Sequence, residues 1–359
     1  MGNKNNLVRK VTFFPGPSQV YEEVGSWMVD AQNEGVLSMS HRSPEFVTLM
    51  RKTVSLLKSK INIPQNYTIF FTSSATECWQ IIAQSFVTKS YHFHNGSFGQ
   101  RWYQYTSNIV SDCVSIDFDH TKSILPEEYI FKDGNLIAIT QNETSNGTQV
   151  SDTIIGIIKK NHPNHLLAVD VTSSLGGISL PFGKADIWFG SVQKCFGLPA
   201  GLGILICSPK ALTLAKTINN NKYYNSAVYL NEMAGKGQTT YTPNVLGIYL
   251  LMRSLDAHCG IEKVDLEIRL RQKEWVQFFA KSKKLQMLIT NTEVASCTVL
   301  PIRGNIDLIA KVKQEAKEVG LILGEGYGKW NKDTFRIANF PAIQRTDNNR
   351  LKEYLSKYL

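Results

Sequence analysis

The fold is decided by residues 166–206, which read LLAVDVTSSLGGISLPFGKADIWFGSVQKCFGLPAGLGILI. Three short apolar runs, 166–169, 187–189 and 204–206, are separated here by segments that contain glycine and proline. Runs of this kind predict buried strands. Similar runs alternate with helix-like patterns over residues 67–207, and this alternation predicts an α/β fold with a mainly parallel, doubly wound sheet.

An acid and a lysine follow the first two of these strands. Asp170 ends the first apolar run, and Lys194 comes shortly after the second. Because ligands of open α/β sheets bind beyond the strand ends, the two side chains are expected to share a site. A lysine amine can form a Schiff base with pyridoxal phosphate, and an aspartate can keep the pyridine nitrogen protonated. The alternative is a turn-capping carboxylate and a solvated lysine, which the spacing alone favours.

Length and composition are those of an ordinary globular chain. It has 359 residues, 43% of them hydrophobic and 19% charged, enough for one large domain and a smaller one. No apolar run approaches the length of a membrane span, and the N-terminal residues lack a signal-peptide core, so we expect no membrane partner. The six cysteines form no CxxC pair and predict free thiols in a cytoplasmic protein, with no metal site.

The formal net charge of +9 raises the question of nucleic-acid binding. The basic residues form no long block, and the cluster at 269–275, RLRQKEW, alternates with apolar positions at helical spacing. This pattern indicates a solvated helix face, so we expect no nucleic-acid partner. An excess of positive charge also suits small anionic substrates.

Two segments in the first third of the chain could bind an anion. The sequence TSSAT at 72–76 lies between a predicted strand, 67–72, and a predicted helix, 77–86; free N–H groups at a helix N-terminus bind phosphate. His41 and Arg42 precede a predicted helix at 44–59. They form either an anion site or a hydrogen-bond cluster at the helix entry.

An aromatic residue between glycines is a candidate for ring contacts. Phe98 lies in a predicted loop, 95–99, that reads NGSFG. Its ring could face a planar cofactor, or it could anchor the helix that follows. The local sequence favours the second interpretation.

The pattern changes after Pro209. Thr242 and Pro243 predict the start of a helix that ends at residue 255, with Pro243 in its first turn. A long amphipathic stretch, 261–280, predicts a bridge to a smaller α+β domain, whose last helix is predicted from Asn348. Arg336 lies there on a predicted strand, close to a glycine-rich loop.

Eight stretches, in this order, resemble those of the fold-type I, class V pyridoxal-phosphate aminotransferases, and within them the phosphoserine aminotransferases. They are FFPGPS (13–18), SHRSPEF (40–46), TSSAT (72–76), QNETSNG (141–147), VDVTSS (169–174), SVQKCFGLPAG (191–201), YTPN (241–244) and FRIANF (335–340). The resemblance implies a large cofactor domain, residues 1–260, with a mainly parallel seven-stranded sheet and helices on both faces. It implies a small C-terminal α+β domain, 261–359, against which residues 1–20 pack, and a homodimer with shared active sites.

The resemblance also assigns roles to individual residues. Lys194 and Asp170 would be catalytic, and pyridoxal phosphate would be contacted by both of them and by Ala75, Thr76, Phe98, Thr144, Gln193, Tyr241 and Thr242, the last two from the partner subunit. The substrate α-carboxylate would be bound by Arg336. Because the expected substrates also carry a distal anion, we expect His41 and Arg42, from the same or the partner subunit, to bind that group, together with Lys329.

The implied activity is amino-group transfer between glutamate and 3-phosphohydroxypyruvate. One departure bears on it, because phosphoserine aminotransferases usually carry a His-Arg pair in the loop before Arg336. Here that loop reads EGYGKWNKDTF, and Lys329 is the candidate replacement. A class V enzyme for unphosphorylated substrates, of the alanine–glyoxylate or serine–pyruvate type, is therefore an alternative. A non-catalytic binding protein with the same fold is another, although such a scaffold would need neither Asp170 nor Lys194.

Overall fold

The three apolar runs of the decisive stretch are buried strands, as predicted. They are Leu166–Asp170, Ile187–Ser191 and Gly203–Cys207, and every residue in them is buried. The structure, a computed structural model, describes residues 9–359. The interpretation of residues 1–8 as part of a segment that packs against the small domain lies outside the described residues.

Fourteen strands occur within the described residues: β1 Val11–Phe13, β2 Thr68–Thr72, β3 Ser90–His94, β4 Cys113–Asp117, β5 Leu136–Thr140, β6 Asn142–Glu143, β7 Thr148–Gln149, β8 Leu166–Asp170, β9 Ile187–Ser191, β10 Gly203–Cys207, β11 Gln286–Met287, β12 Val299–Arg303, β13 Leu321–Glu325 and β14 Thr334–Ala338. Eleven α-helices accompany them in the same part of the chain: α1 Val24–Asn33, α2 Pro44–Ile61, α3 Ala75–Phe86, α4 Ser97–Ser107, α5 Asp152–Asn161, α6 Pro209–Ile218, α7 Ala227–Gly235, α8 Val245–Ala257, α9 Ile261–Ala280, α10 Ile306–Glu318 and α11 Arg345–Ser356.

The large sheet has seven strands in the order β2-β10-β9-β8-β5-β3-β4. Strands β9, β8, β5, β3 and β4 pair in parallel, whereas β10 is antiparallel to both of its neighbours. Alternate residues of each central strand enter two separate apolar cores, so Val169 belongs to one core and Ala168 to the other. Helices α2, α5 and α8 cover the first face and α3, α6 and α7 the second, which is the predicted doubly wound arrangement.

A second sheet of five strands has the order β1-β13-β14-β12-β11. Strand β1 pairs in parallel with β13, and the other pairs are antiparallel. Helix α9 joins the two cores, because Ile268 packs in the core of the large sheet and Trp275 in the core of the small one. The division of the chain into residues 1–260 and 261–359 stays a prediction.

Three local predictions are wrong. Phe98 lies in the first turn of α4 and not in a loop. Pro243 precedes α8, because Asn244 caps the helix by accepting the Gly247 N–H at 2.8 Å. The last helix begins at Arg345, before Asn348, because a capping box forms between Gln344 and Asp347.

Two further properties follow from the described residues. All six cysteines are free, and four of them are buried. No described helix combines the length and the apolar character needed to cross a membrane.

Candidate active site

A cleft of about 870 Å³ opens beyond the carboxyl ends of β5, β8 and β9, whose last residues Thr140, Asp170 and Ser191 line it. This is the position at which open α/β sheets bind ligands. The cleft brings together eight of the predicted site residues: Ala75, Thr76, Phe98, Thr144, Asp170, Gln193, Lys194 and Arg336. The small sheet contributes to the same cleft through Arg336 on β14 and the loop after β13.

Lys194 is buried, and its amine is held by two hydroxyls. Nζ donates to Ser173 Oγ at 2.8 Å and to Thr144 Oγ1 at 3.1 Å, and it lies 5.5 Å from the centre of the Phe98 ring. Burial lowers the pKa of Lys194 to about 8, and Arg336 acts in the same direction. A larger fraction of this amine is therefore neutral near pH 8 than in an ordinary lysine, which makes it a better nucleophile.

Gly16 allows the chain to pass directly over this lysine. Its φ of +121° is unfavourable for other residues, and a Cβ atom built there would lie 2.6 Å from Lys194 Cε. The glycine in the FFPGPS stretch therefore has a steric role, because a larger residue would displace the lysine side chain.

Asp170 is buried at the end of β8 and has no cationic side chain within salt-bridge distance in residues 9–359. Its Oδ1 accepts the Thr172 N–H at 2.8 Å. Burial raises the pKa of Asp170, while the hydrogen bonds from Thr172 and the charge of Lys194 oppose this. A protonated ring nitrogen placed against Asp170 would stabilise its ionised form.

Several buried polar atoms on the cleft wall have no hydrogen-bond partner among the described residues. They are Trp79 Nε1, Thr140 Oγ1, Thr172 Oγ1 and Gln193 Oε1. Helix α3 points its N-terminus at the same space, with Ala75 N–H donating to Ser191 Oγ at 3.1 Å and Thr76 in its first turn. Unsatisfied polar groups beside a helix N-terminus suit a polar, phosphate-bearing ligand, so these residues fit pyridoxal phosphate.

Arg336 is buried and faces the cleft from the small sheet. Nη1 donates to the Thr144 carbonyl at 2.9 Å, and Nε donates to the Glu325 carbonyl at 2.6 Å. Burial lowers its pKa to about 10. The guanidinium has no carboxylate partner within residues 9–359, so an anionic ligand would compensate the cost of burying it.

Five predicted site residues do not line the cleft of their own chain. Arg42 donates to Gln238 Oε1 at 2.8 Å and to the Thr239 carbonyl at 3.0 Å, and the adjacent His41 contacts the edge of the Phe46 ring. Lys329 lies over the Trp330 ring at 4.6 Å.

The remaining two follow in the segment before α8. Tyr241 Oη donates to the Phe71 carbonyl at 3.3 Å, and Thr242 is exposed. The roles of His41, Arg42, Tyr241, Thr242 and Lys329 stay predictions.

Three residues that the sequence did not single out position the side chains of the site. Glu143 is buried, and its Oε2 accepts the N–H groups of Phe98 and Gly99 at 3.1 and 3.0 Å. This carboxylate caps α4 and fixes the place of Phe98. Ser173, which holds Lys194, and Tyr327, which lies beside Arg336, were also missed.

The architecture is that of the fold-type I pyridoxal-phosphate aminotransferases. A solved phosphoserine aminotransferase from Cytophaga hutchinsonii superposes with a TM-score of 0.94 at 28% identity, covering 98% of this chain and 100% of that one. An alanine–glyoxylate aminotransferase from a Nostoc species shares the fold, with a TM-score of 0.85 at 18% identity, covering 99% and 97%.

Comparison of sequences identifies the family of this chain. The chain belongs to the class-V aminotransferases, whose family model matches residues 15–324. Phosphoserine aminotransferases from Rhodococcus opacus and Rhodococcus jostii are 26% and 25% identical over 352 residues, which cover 94% of this chain and 91% of each relative.

Proposed function

We propose that this chain transfers an amino group between glutamate and 3-phosphohydroxypyruvate, giving 2-oxoglutarate and phosphoserine, with pyridoxal phosphate bound in the cleft. The observation that supports it most is the cleft itself, in which Lys194, Asp170 and Arg336 face one space. The choice of substrate is supported by relatives over nearly the full length, which are phosphoserine aminotransferases.

When bound, pyridoxal phosphate supplies an aldehyde that condenses with amines and a ring that withdraws electrons from the substrate Cα. Lys194 is the group that holds the cofactor at rest and then moves the proton at Cα, since its lowered pKa suits both tasks. Asp170 holds the positive charge of the ring nitrogen. Ser173 and Thr144 orient the amine of Lys194.

The remaining residues bind and orient. The N-terminus of α3, at Ala75 and Thr76, and Gln193 would bind the phosphate of the cofactor, and Phe98 would contact its ring. Arg336 binds the α-carboxylate of the substrate, because its planar fork matches a carboxylate with two hydrogen bonds.

Substrate choice is tested by half-reactions of the purified holoenzyme with phosphoserine, glutamate, alanine and serine. We expect phosphoserine and glutamate to convert the bound cofactor with kcat/KM values at least about tenfold above those of alanine and serine, the ratio that one charge-assisted hydrogen bond supplies. If alanine or serine reacts better, the enzyme is of the alanine–glyoxylate or serine–pyruvate type. If no amino acid reacts, the chain is a binding protein.

The proposed enzyme is a cytoplasmic homodimer with shared sites. Thr242 is exposed and lies outside the cleft of its own chain, which is consistent with a role in the cleft of a partner. A two-fold dimer would use one contact surface to complete both sites.

Sharing of sites predicts complementation. Thr242→Glu places a negative charge against the partner's cofactor phosphate, and Lys194→Ala removes the amine, so each homodimer should be inactive. Random mixing by refolding should restore about a quarter of the wild-type activity, because half of the dimers are mixed and each has one intact site. The amount of cofactor bound per dimer gives an independent count of the intact sites. Mixtures that match the average of the two parents, or a fully active monomer, would contradict the shared site.

A further inference from the structure

The cleft contains one positively charged side chain that has no role in the proposed mechanism. Its charged lining residues are the cations Arg101, Lys194 and Arg336 and the acids Asp170 and Glu325. Glu325 pairs with Lys313, outside the cleft lining. Lys194 and Asp170 serve the cofactor and Arg336 the α-carboxylate, so Arg101 is the cation of this lining that has no task.

Arg101 is presented to the cleft by helix α4. Phe98, Arg101 and Tyr105 recur at helical spacing, and all three line the cleft, so one face of α4 forms part of its wall. Glu143 fixes the N-terminus of this helix through two hydrogen bonds. The guanidinium therefore extends from a rigid element, one turn beyond the proposed cofactor-stacking ring.

The Arg101 guanidinium has no ion pair and no hydrogen bond within residues 9–359, and it is exposed. Its described contact is with the ring of Tyr327, whose centre lies 5.6 Å from the guanidinium carbon. An aromatic face orients a guanidinium without occupying its N–H groups. These donors are therefore available to a ligand.

The same ring also contacts Arg336, whose guanidinium carbon lies 5.2 Å from its centre. The separation of the two guanidinium carbons thus cannot exceed the sum of these two distances. Tyr327 keeps the two cations within reach of one substrate molecule.

We propose that Arg101 binds the distal anionic group of the substrate while Arg336 of the same chain binds the α-carboxylate. The ligand class is an amino acid or 2-oxo acid whose side chain ends in a carboxylate or phosphate, and a guanidinium fork suits both. The inference rests on the proposed function and deepens it. It gives the cleft a distal cation that its own chain supplies, whereas Arg42 and Lys329 lie outside the cleft lining.

A binding experiment tests the assignment without turnover. The probes are glutarate and pentanoate, which have the same number of carbons and differ in the distal carboxylate. Binding to the holoenzyme is followed by the absorption of the cofactor. Arg101→Gln should weaken the binding of glutarate about ten- to hundredfold, because a charge-assisted pair is lost. The binding of pentanoate should change much less. Arg101→Lys should restore part of the affinity for glutarate, because it restores the charge without the fork.

Kinetics supply the second readout. In Arg101→Gln the ratio of kcat/KM for phosphoserine to kcat/KM for alanine should fall about ten- to hundredfold, mainly through KM for phosphoserine. Lys283→Gln is the matched control, because it removes one exposed positive charge that does not line the cleft. It should leave the ratio unchanged.

The outcomes separate the inference from the proposed function. If Arg101→Gln lowers binding of glutarate and pentanoate equally, the residue has a structural role and the inference is overturned. If Arg101→Gln changes the binding of neither glutarate nor pentanoate, the inference is overturned. The proposed function still stands if Arg42→Gln or Lys329→Gln lowers the ratio of kcat/KM for phosphoserine to kcat/KM for alanine. If the wild-type enzyme prefers alanine to both phosphoserine and glutamate, both are overturned.

Discussion

Lys194→Ala is expected to lower transamination by about a thousandfold or more, because it removes the group that we propose moves the proton at the substrate Cα. The variant should keep the fold, since it deletes a buried amine whose burial is itself costly. Small primary amines such as methylamine should restore part of the activity. Lys184→Ala is the control, since Lys184 is exposed and does not line the cleft.

The lowered pKa of Lys194 also predicts how the reaction of this lysine with pyridoxal phosphate depends on pH. Incubation of the cofactor-free protein with pyridoxal phosphate, followed by borohydride, should attach the pyridoxyl group to Lys194, as located by peptide mass mapping. The neutral amine reacts, so labelling should rise with pH and level off above about pH 8, where an ordinary lysine would still be rising. A label on a different lysine, or a profile that still rises at pH 10, would contradict the assignment.

The second large effect is expected at Asp170. Asp170→Ala and Asp170→Asn should both lower turnover about a hundredfold or more, because each removes the negative charge that, in the proposed mechanism, keeps the ring nitrogen of the cofactor protonated. Asparagine can still accept the Thr172 N–H, so an equal loss in both variants would locate the effect in the charge. A cofactor analogue methylated at the ring nitrogen carries a permanent positive charge and should restore part of the activity. Wild-type turnover in Asp170→Asn would exclude the proposed role.

The same position predicts an opposite effect on stability. Burial raises the pKa of Asp170 above its value in the unfolded chain, so its ionised form at pH 7 destabilises the fold. Cofactor-free Asp170→Asn should therefore melt at a higher temperature than the cofactor-free wild type at pH 7. The difference should shrink as the pH falls and Asp170 becomes protonated.

The sequence was sufficient for elements whose own residues determine them. The runs at β8, β9 and β10 are almost wholly apolar and bounded by turn residues, so their burial could be predicted from the local sequence alone. Asp170 and Lys194 were found because Asp170 ends one of these strands and Lys194 comes shortly after another. The role of Arg336 was predicted from the family resemblance, because a single arginine on a short strand does not by itself indicate a binding site.

The parts that escaped prediction depend on distant residues. Helix α4 begins between Gly96 and Gly99, which oppose a helix locally, and it starts there because Glu143, far away in sequence, accepts its N–H groups. With the first turn of this helix assigned to a loop, Arg101 could not be placed on the same face as Phe98. Ser173 and Tyr327 lie in loops without periodicity, and only the tertiary fold brings them to Lys194 and Arg336.

The pairing of β1 with β13 has a consequence for the order of assembly. Val11 lies beside Leu321, so the first strand cannot find its neighbour until synthesis has passed β13. The residues that follow β1, Phe14 to Gly16, line the cleft, and Gly16 lies on Lys194. This wall of the cleft is therefore completed only after β13 has been synthesised. A nascent chain that ends before β13 would therefore carry Lys194 without the cover that the segment around Gly16 provides.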